Sequence, residues 1–176
     1  MNIGTKTLLF GCHQFLVHPF FVWCAWLKVY HKLPNPKEAI CIFIHDWGYW
    51  GKIDIDGSEG EYHPRWAARW TARHLGQGWG YFCMYHSKTL ANRDRVQESR
   101  LCFPDKYGVT MAPIWWMVLA GKLSGETAEY RFAPKYARMH RERFTDYQLY
   151  ADIRNYYRKK VAPEYLKGVQ DAAQRS

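Results

Sequence analysis

Six residues of types that bind a divalent metal follow one another along this chain in a suggestive order. They are His18, the adjacent pair His45 and Asp46, then His63, His86 and Asp105. Imidazole and carboxylate ligands together suit a divalent first-row transition metal. Water on such an ion is acidified toward hydroxide, a nucleophile available at neutral pH. An isolated His-Asp dipeptide says little, since most are surface pairs. Here Ile42, Phe43 and Ile44 lead directly into His45 and Asp46, so burial of the pair is expected. A buried carboxylate beside a buried imidazole needs a partner, and a metal ion is the simplest one. Among the other histidines, His13 competes with His18 for a ligand role, while His31, His74 and His140 are expected at the surface or in packing.

The elements that must position these groups read as helices. Asn35, Pro36 and Glu38 form an N-cap, a Pro at the first helical position and a first-turn acid. That helix runs on through Ile40, Ile44 and Trp47, carries His45 and Asp46 in its last turns and stops at Gly48. In His18-Pro19 and His63-Pro64 the Pro fits a first helical turn and sets the His at a helix entrance. The first of these helices is predicted to reach about Tyr30, and the second to end at Gly76. Further helices are predicted over Trp79 to Asn92, Val96 to Phe103, Pro113 to Ala120 and Asp146 to Val161. The last carries a stripe of Tyr147, Tyr150, Ile153 and Tyr157.

No convincing strand alternation appears; Lys52 to Asp56 is at most a hairpin edge. The expected fold class is therefore all-α, as one domain over 1–176. The loop from Gly48 to Tyr62 should border the site, with Lys52 pointing in and the acids facing away. Asp54, Asp56 and Gly57 do not make a calcium loop, because a further oxygen ligand is missing and the closing position is Arg65. Trp47 to Trp50 and the pair Trp115, Trp116 are expected in the core rather than as base-stacking platforms.

The net charge is +9 and the pI about 9.3, which implies an anionic partner: nucleotide, nucleic acid or membrane surface. Much of the excess lies in the C-terminal third, at Lys135, Arg138, Arg141, Arg143, Arg154, Arg158, Lys159 and Lys160, and much of that reads equally as a solvated helix face. Hydrophobic residues make up 48%, too many for a disordered chain. Aromatics at 18% suit a lined pocket or an oligomer interface, and a homo-oligomer is left open. Cys12, Cys24, Cys41, Cys83 and Cys102 form no CxxC pair and read as reduced thiols of a cytoplasmic protein. The uncharged stretch from Leu8 to Leu27 is read as a buried helix and not a membrane span, since it holds Gly11, His13, Gln14, His18 and Pro19. The apolar run before Cys12 is too short for a lipoprotein signal.

The ordered series resembles the HD-domain superfamily of metal-dependent phosphohydrolases, and the whole is similar to short HD proteins of phage and bacterial genomes. The resemblance spans Phe10 to Tyr107, with the rest a helical extension over about 113–170. It implies a compact HD-type helical bundle. His18 is similar to the family's first His, His45 and Asp46 to its His-Asp pair, and Asp105 to its distal Asp. His63 and His86 are similar to the added pair of two-metal members. Pro104 departs from the usual small residue before the Asp, and the usual Lys is displaced to Lys52.

The resemblance implies a nucleotide or related phosphate ester or anhydride as substrate, attacked by metal-activated water. Asp46 and Lys52 are the expected catalytic residues. Arg65, Lys88, Arg93 and Lys106 are the expected phosphate-binding cations. The cofactor would be one or two divalent ions, with Fe, Mn, Co, Ni and Zn not distinguished. Some HD relatives with a similar ligand set are di-iron oxygenases, which stands as the alternative, and a non-enzymatic basic binding protein is a third.

Overall fold

The computed structural model describes residues 1–132 and 140–161. Ten α-helices and no strand occur among the described residues, so the fold is all-α. The helices are α1 (Ile3–Phe10), α2 (Val17–Tyr30), α3 (Pro36–Ile44), α4 (Pro64–Leu75), α5 (Gln77–Met84), α6 (Lys88–Asp94), α7 (Cys102–Gly108), α8 (Ile114–Ser124), α9 (Glu126–Phe132) and α10 (Asp146–Tyr156). Short 3-10 turns cover Trp47–Tyr49, Gly60–Tyr62 and Arg141–Arg143, and a π-turn covers Tyr157–Val161. Of the basic residues named above, Lys135 and Arg138 lie outside the described residues, as does the side chain of Lys160.

Local chemistry sets the boundaries. The Asn35 side chain accepts from the backbone N–H groups of Lys37 and Glu38, and Glu38 reaches back to the Asn35 N–H, a full capping box. Thr145 and Gln148 repeat the device at α10. Gly76 takes φ +109° between α4 and α5 and so lets the two helices fold back on each other.

Three predicted boundaries move. The α3 helix ends at Ile44, so His45 and Asp46 stand at its exit rather than inside it. The predicted helix from Trp79 breaks at Tyr85, because Ser87 caps a new helix through its contact with the Leu90 N–H. The segment before Leu101 is irregular, and the helix instead begins at Cys102 with Pro104 in its first turn, where its missing N–H costs nothing. Two helices without a clear sequence signal, α1 and α9, were not expected.

The core consists of connected apolar clusters. Val22 and Trp26 of α2 meet Ile42 of α3 and Leu101. Cys41 of α3 meets Ala67, Ala68 and Cys83 on α4 and α5. Met117 of α8 packs with Leu149, Tyr150 and Ile153 of α10, whereas Tyr147 from the predicted stripe is exposed. These clusters hold α2, α3 and α4 around one point. The α7 helix is pressed on α2 at Gly108, where an added Cβ would come within 3.1 Å of the Val22 nitrogen. Close approach of α7 to α2 carries Asp105 to His18.

The uncharged stretch from Leu8 to Leu27 is split by the turn at Gly11 into α1 and α2. No helix of the described residues is long and apolar enough to cross a membrane. All five cysteines are free thiols.

Candidate metal centre

All six expected ligands meet at one buried point. His18 enters from the first turn of α2, His45 and Asp46 from the exit of α3, and His63 from the start of α4. His86 comes from the break between α5 and α6, and Asp105 from the first turn of α7. Asp46 lies between two ligand groups. Its Oδ2 is 3.3 Å from His18 Nε2 and 3.3 Å from His45 Nε2, while Asp105 Oδ1 is 3.1 Å from His18 Nε2 and 3.4 Å from His45 Nε2. Asp46 Oδ1 is 3.2 Å from His63 Nε2 and 3.5 Å from His86 Nε2.

The tautomers of three imidazoles follow from their outer contacts. Nδ1 of His45 lies 2.7 Å from the Ile42 carbonyl, that of His63 2.7 Å from Gly60, and that of His86 2.6 Å from Cys83. A carbonyl only accepts, so each Nδ1 carries a proton and each Nε2 is the nitrogen turned toward the centre. Such backbone anchoring is what orients histidine ligands in metal sites.

Two observations test whether these residues fit an ion. Asp46 Oδ2 and His45 Nε2 are buried and have no hydrogen bond, although such atoms typically cost about 1–3 kcal/mol each when left unpaired. His63 Nε2 and His86 Nε2 face each other at 3.1 Å, which two lone pairs tolerate only with a cation or a proton between them. His18, His45, Asp46 and Asp105 form one candidate ligand group, and Asp46, His63 and His86 a second. The donor set fits one or two divalent ions, with Asp46 contributing one oxygen to each.

The electrostatics agree. Burial works against ionisation of Asp46, but His45, His18 and His63 hold its carboxyl well below the usual range. Asp105 is lowered in the same way against its own burial, chiefly by His18 and His45. Burial opposes a proton on His45, yet Asp46 and Asp105 raise it. Burial lowers His86 to about 4, so that ring is neutral.

A cavity of about 480 Å³ opens onto this cluster. Lys88 and Lys106 line it, with Lys88 Nζ 3.6 Å from Glu98. Lys106 Nζ sits 3.3 Å from the His86 carbonyl and 3.8 Å from Asp105 Oδ2.

Three expected site cations lie elsewhere. The Lys52 segment is pinned to α1, through Gly4 N–H to the Lys52 carbonyl and Gly51 N–H to Thr5, and its side chain lines a different cavity. Arg65 belongs to the outer face of α4, opposite Ala67, Ala68 and Thr71, and stacks over the Tyr62 ring at 4.1 Å. Arg93 pairs with Asp94 at 2.8 Å and is outside both cavities. The loop acids also depart from expectation, since Asp56 and Glu61 line the metal cavity. Asp54 instead caps the Gly57 and Gly60 N–H groups.

The structure adds residues that the sequence pattern missed. Glu126 on α9 is fully buried. It accepts from Thr7 Oγ1, from the Cys12 N–H at 2.9 Å, and contacts His13 Nδ1 at 3.1 Å. Burial opposes charge on His13, but the bond to Glu126 and the nearby Asp46 raise it to about 9. His13 lines the metal cavity with its ring against His18 rather than replacing it as a ligand. Tyr49 stacks on His63 with centroids 3.9 Å apart and an interplanar angle of 15°. His13 was visible as a rival to His18; Glu126 has no local sequence signal. His31, His74 and His140 are exposed, as expected.

No protein-family model, no curated protein and no solved structure matches this chain in comparison with known proteins.

Proposed function

We propose that this chain is an HD-type, metal-dependent phosphohydrolase acting on a nucleotide or a related phosphate ester or anhydride. One observation carries the reading. A buried Asp46, with one oxygen lacking any hydrogen bond, stands among four imidazoles, three of which are held with Nε2 toward it by Nδ1 contacts to backbone carbonyls. His18, His45, Asp46 and Asp105 would hold one ion, and Asp46, His63 and His86 a second. When bound, such ions acidify water and stabilise charge on a phosphoryl group.

The chain's own residues supply the rest. Lys106 and Lys88 line the cavity and neutralise phosphate charge as point cations. Asp105 fixes His18, and the carbonyls of Ile42, Gly60 and Cys83 hold three rings in place, so little reorganisation accompanies reaction. His13 is anchored at Nδ1 by Glu126, which leaves Nε2 to hold a proton on the cavity side.

The test is metal analysis of the purified protein together with a nucleotide screen for phosphate release, repeated on Asp46→Asn. Metal-dependent release that vanishes in a folded Asp46→Asn protein supports the proposal. Release unchanged in a metal-free Asp46→Asn protein would end it. The second ligand group also suits a di-iron oxygenase, and oxygen consumption with an unphosphorylated substrate separates that chemistry from hydrolysis.

A further inference from the structure

A second cavity, of about 890 Å³, lies against the other face of the segment that carries the candidate ligands His45 and Asp46. The two cavities share no lining residue: Asp46 and Tyr49 face the metal centre, while Trp47 and Trp50 face the second space. The wall between them is thin. Gly48 lies so close to α4 that an added Cβ would come within 1.8 Å of the His63 carbonyl oxygen.

The second cavity has a distinct chemistry. Its cations are Lys52, Arg65 and Arg69, no acid lines it, and none of the three forms an ion pair among the described residues. Of its aromatic wall, Trp47 and Trp50 were expected in the core and are at the surface instead. Trp47 and Trp66 are stacked at 5.7 Å and 29°, yet are 41% and 39% exposed, and Trp50 is 64% exposed. Exposed aromatic area concentrated in a concave site marks a ligand surface. Arg65 lies over Tyr62 at 4.1 Å, so its guanidinium is oriented before any ligand arrives.

We infer that this groove binds a nucleotide unit at a site separate from the metal centre. The base stacks on the exposed Trp50 face or the Trp47–Trp66 pair, and the phosphate meets Arg65, Arg69 and Lys52. Stacking faces beside an unpaired cationic stripe are the combination that holds single strands and free nucleotides. The concave shape suits a discrete ligand, whereas a flat bilayer would reach only its rim.

The inference stands independently of the hydrolase proposal, and its test uses the full chain carrying Asp46→Asn in chelator. Calorimetric titrations are run with ATP, with an oligothymidylate twelve-mer and with inorganic tripolyphosphate, and sedimentation with phosphatidylserine vesicles. Binding of ATP or the oligonucleotide is expected, weakened at least tenfold by Arg65→Glu with Arg69→Glu and by Trp50→Ala. Arg65→Lys with Arg69→Lys should keep most of it, which separates lost charge from lost folding. A stronger oligonucleotide assigns the unit to a strand; equal affinities assign it to a free nucleotide. Tripolyphosphate binding as tightly as ATP would remove the stacking role and overturn the inference. So would vesicle binding alone, binding that the Asp46→Asn change abolishes relative to wild type, or no binding at all.

Discussion

His63→Ala separates a two-ion centre from a one-ion centre that uses its remaining histidines for substrate. His18, His45, Asp46 and Asp105 do not depend on the His63 ring, whereas the second group keeps only Asp46 and His86 once it is gone. The truncation also removes the stack on Tyr49 from a residue 9% exposed. That alone should cost about 1–3 kcal/mol, or roughly 2–12 °C in Tm for a chain of this size. Metal binding adds a separable quantity. An ion at 100 times its Kd stabilises by about 2.7 kcal/mol, which is roughly 5–11 °C per site. The wild type should therefore show about twice the metal-induced rise in Tm of His63→Ala, and elemental analysis should fall from two ions per chain to one. The second ion has fewer unshared ligands and should be lost first on titration with chelator. One ion per chain in the wild type, unchanged by His63→Ala under metal-replete conditions, would refute the reasoning and assign His63 and His86 to substrate.

The metal-induced rise in Tm should grow as pH increases from about 6 to about 8, because bound protons compete with the ion. The sign follows from His45. Its folded pKa is raised, so the stability it gives the metal-free protein is complete below about 6.5 and is lost as pH rises through the folded value. Melting curves with and without metal across this range check it. In chelator, Glu126→Gln should cost at most about 3 kcal/mol, since His13 at about 9 stands roughly 2.5 units above its unfolded value. That cost should be full below about pH 6.5 and fade as pH rises through about 9. Lys106→Ala should lower kcat/KM at least tenfold, about 1.4 kcal/mol, while Lys52→Ala leaves phosphate release unchanged in steady-state assays. Gly48→Ala should destabilise by about 1–3 kcal/mol in denaturant titrations and loosen the second ion, because the new Cβ meets the His63 carbonyl.

What the sequence made legible was local chemistry that a few neighbouring residues decide. Asn35, Pro36 and Glu38 announce α3 because a capping box needs only four consecutive residues. His18-Pro19 and His63-Pro64 mark helix starts because proline fits a first turn and little else in a helix. The ligand order was legible because buried imidazoles and carboxylates need a partner whatever the topology. Orientation was not legible. Whether Lys52 faces the metal or turns away depends on the Gly51 turn at φ +80° and on docking to α1, a helix without a cap signal of its own. Trp47 and Trp50 flank a buried Tyr49, so hydrophobicity alone assigned all three to the core when only the tyrosine belongs there.

The least legible part is how the C-terminal segment completes the site. Its contributions are single side chains that reach back across the chain. Glu126 ties His13, Cys12 and Thr7 together beside His18. Glu129, three residues on, accepts from the backbone N–H groups of Ile55 and Asp56 and so fixes the loop that places Asp56 on the metal cavity. Burial raises Glu129, but those two N–H groups oppose the shift, so the loop and the carboxylate stabilise each other. Arg141 is buried against Asp152 while also lining the same cavity. The helices after Gly108 therefore do more than cover the ligand-bearing half. They fix the loop, anchor an imidazole next to the candidate ligands and supply cavity wall, which explains why a basic and otherwise motif-free segment carries the buried acid Glu126.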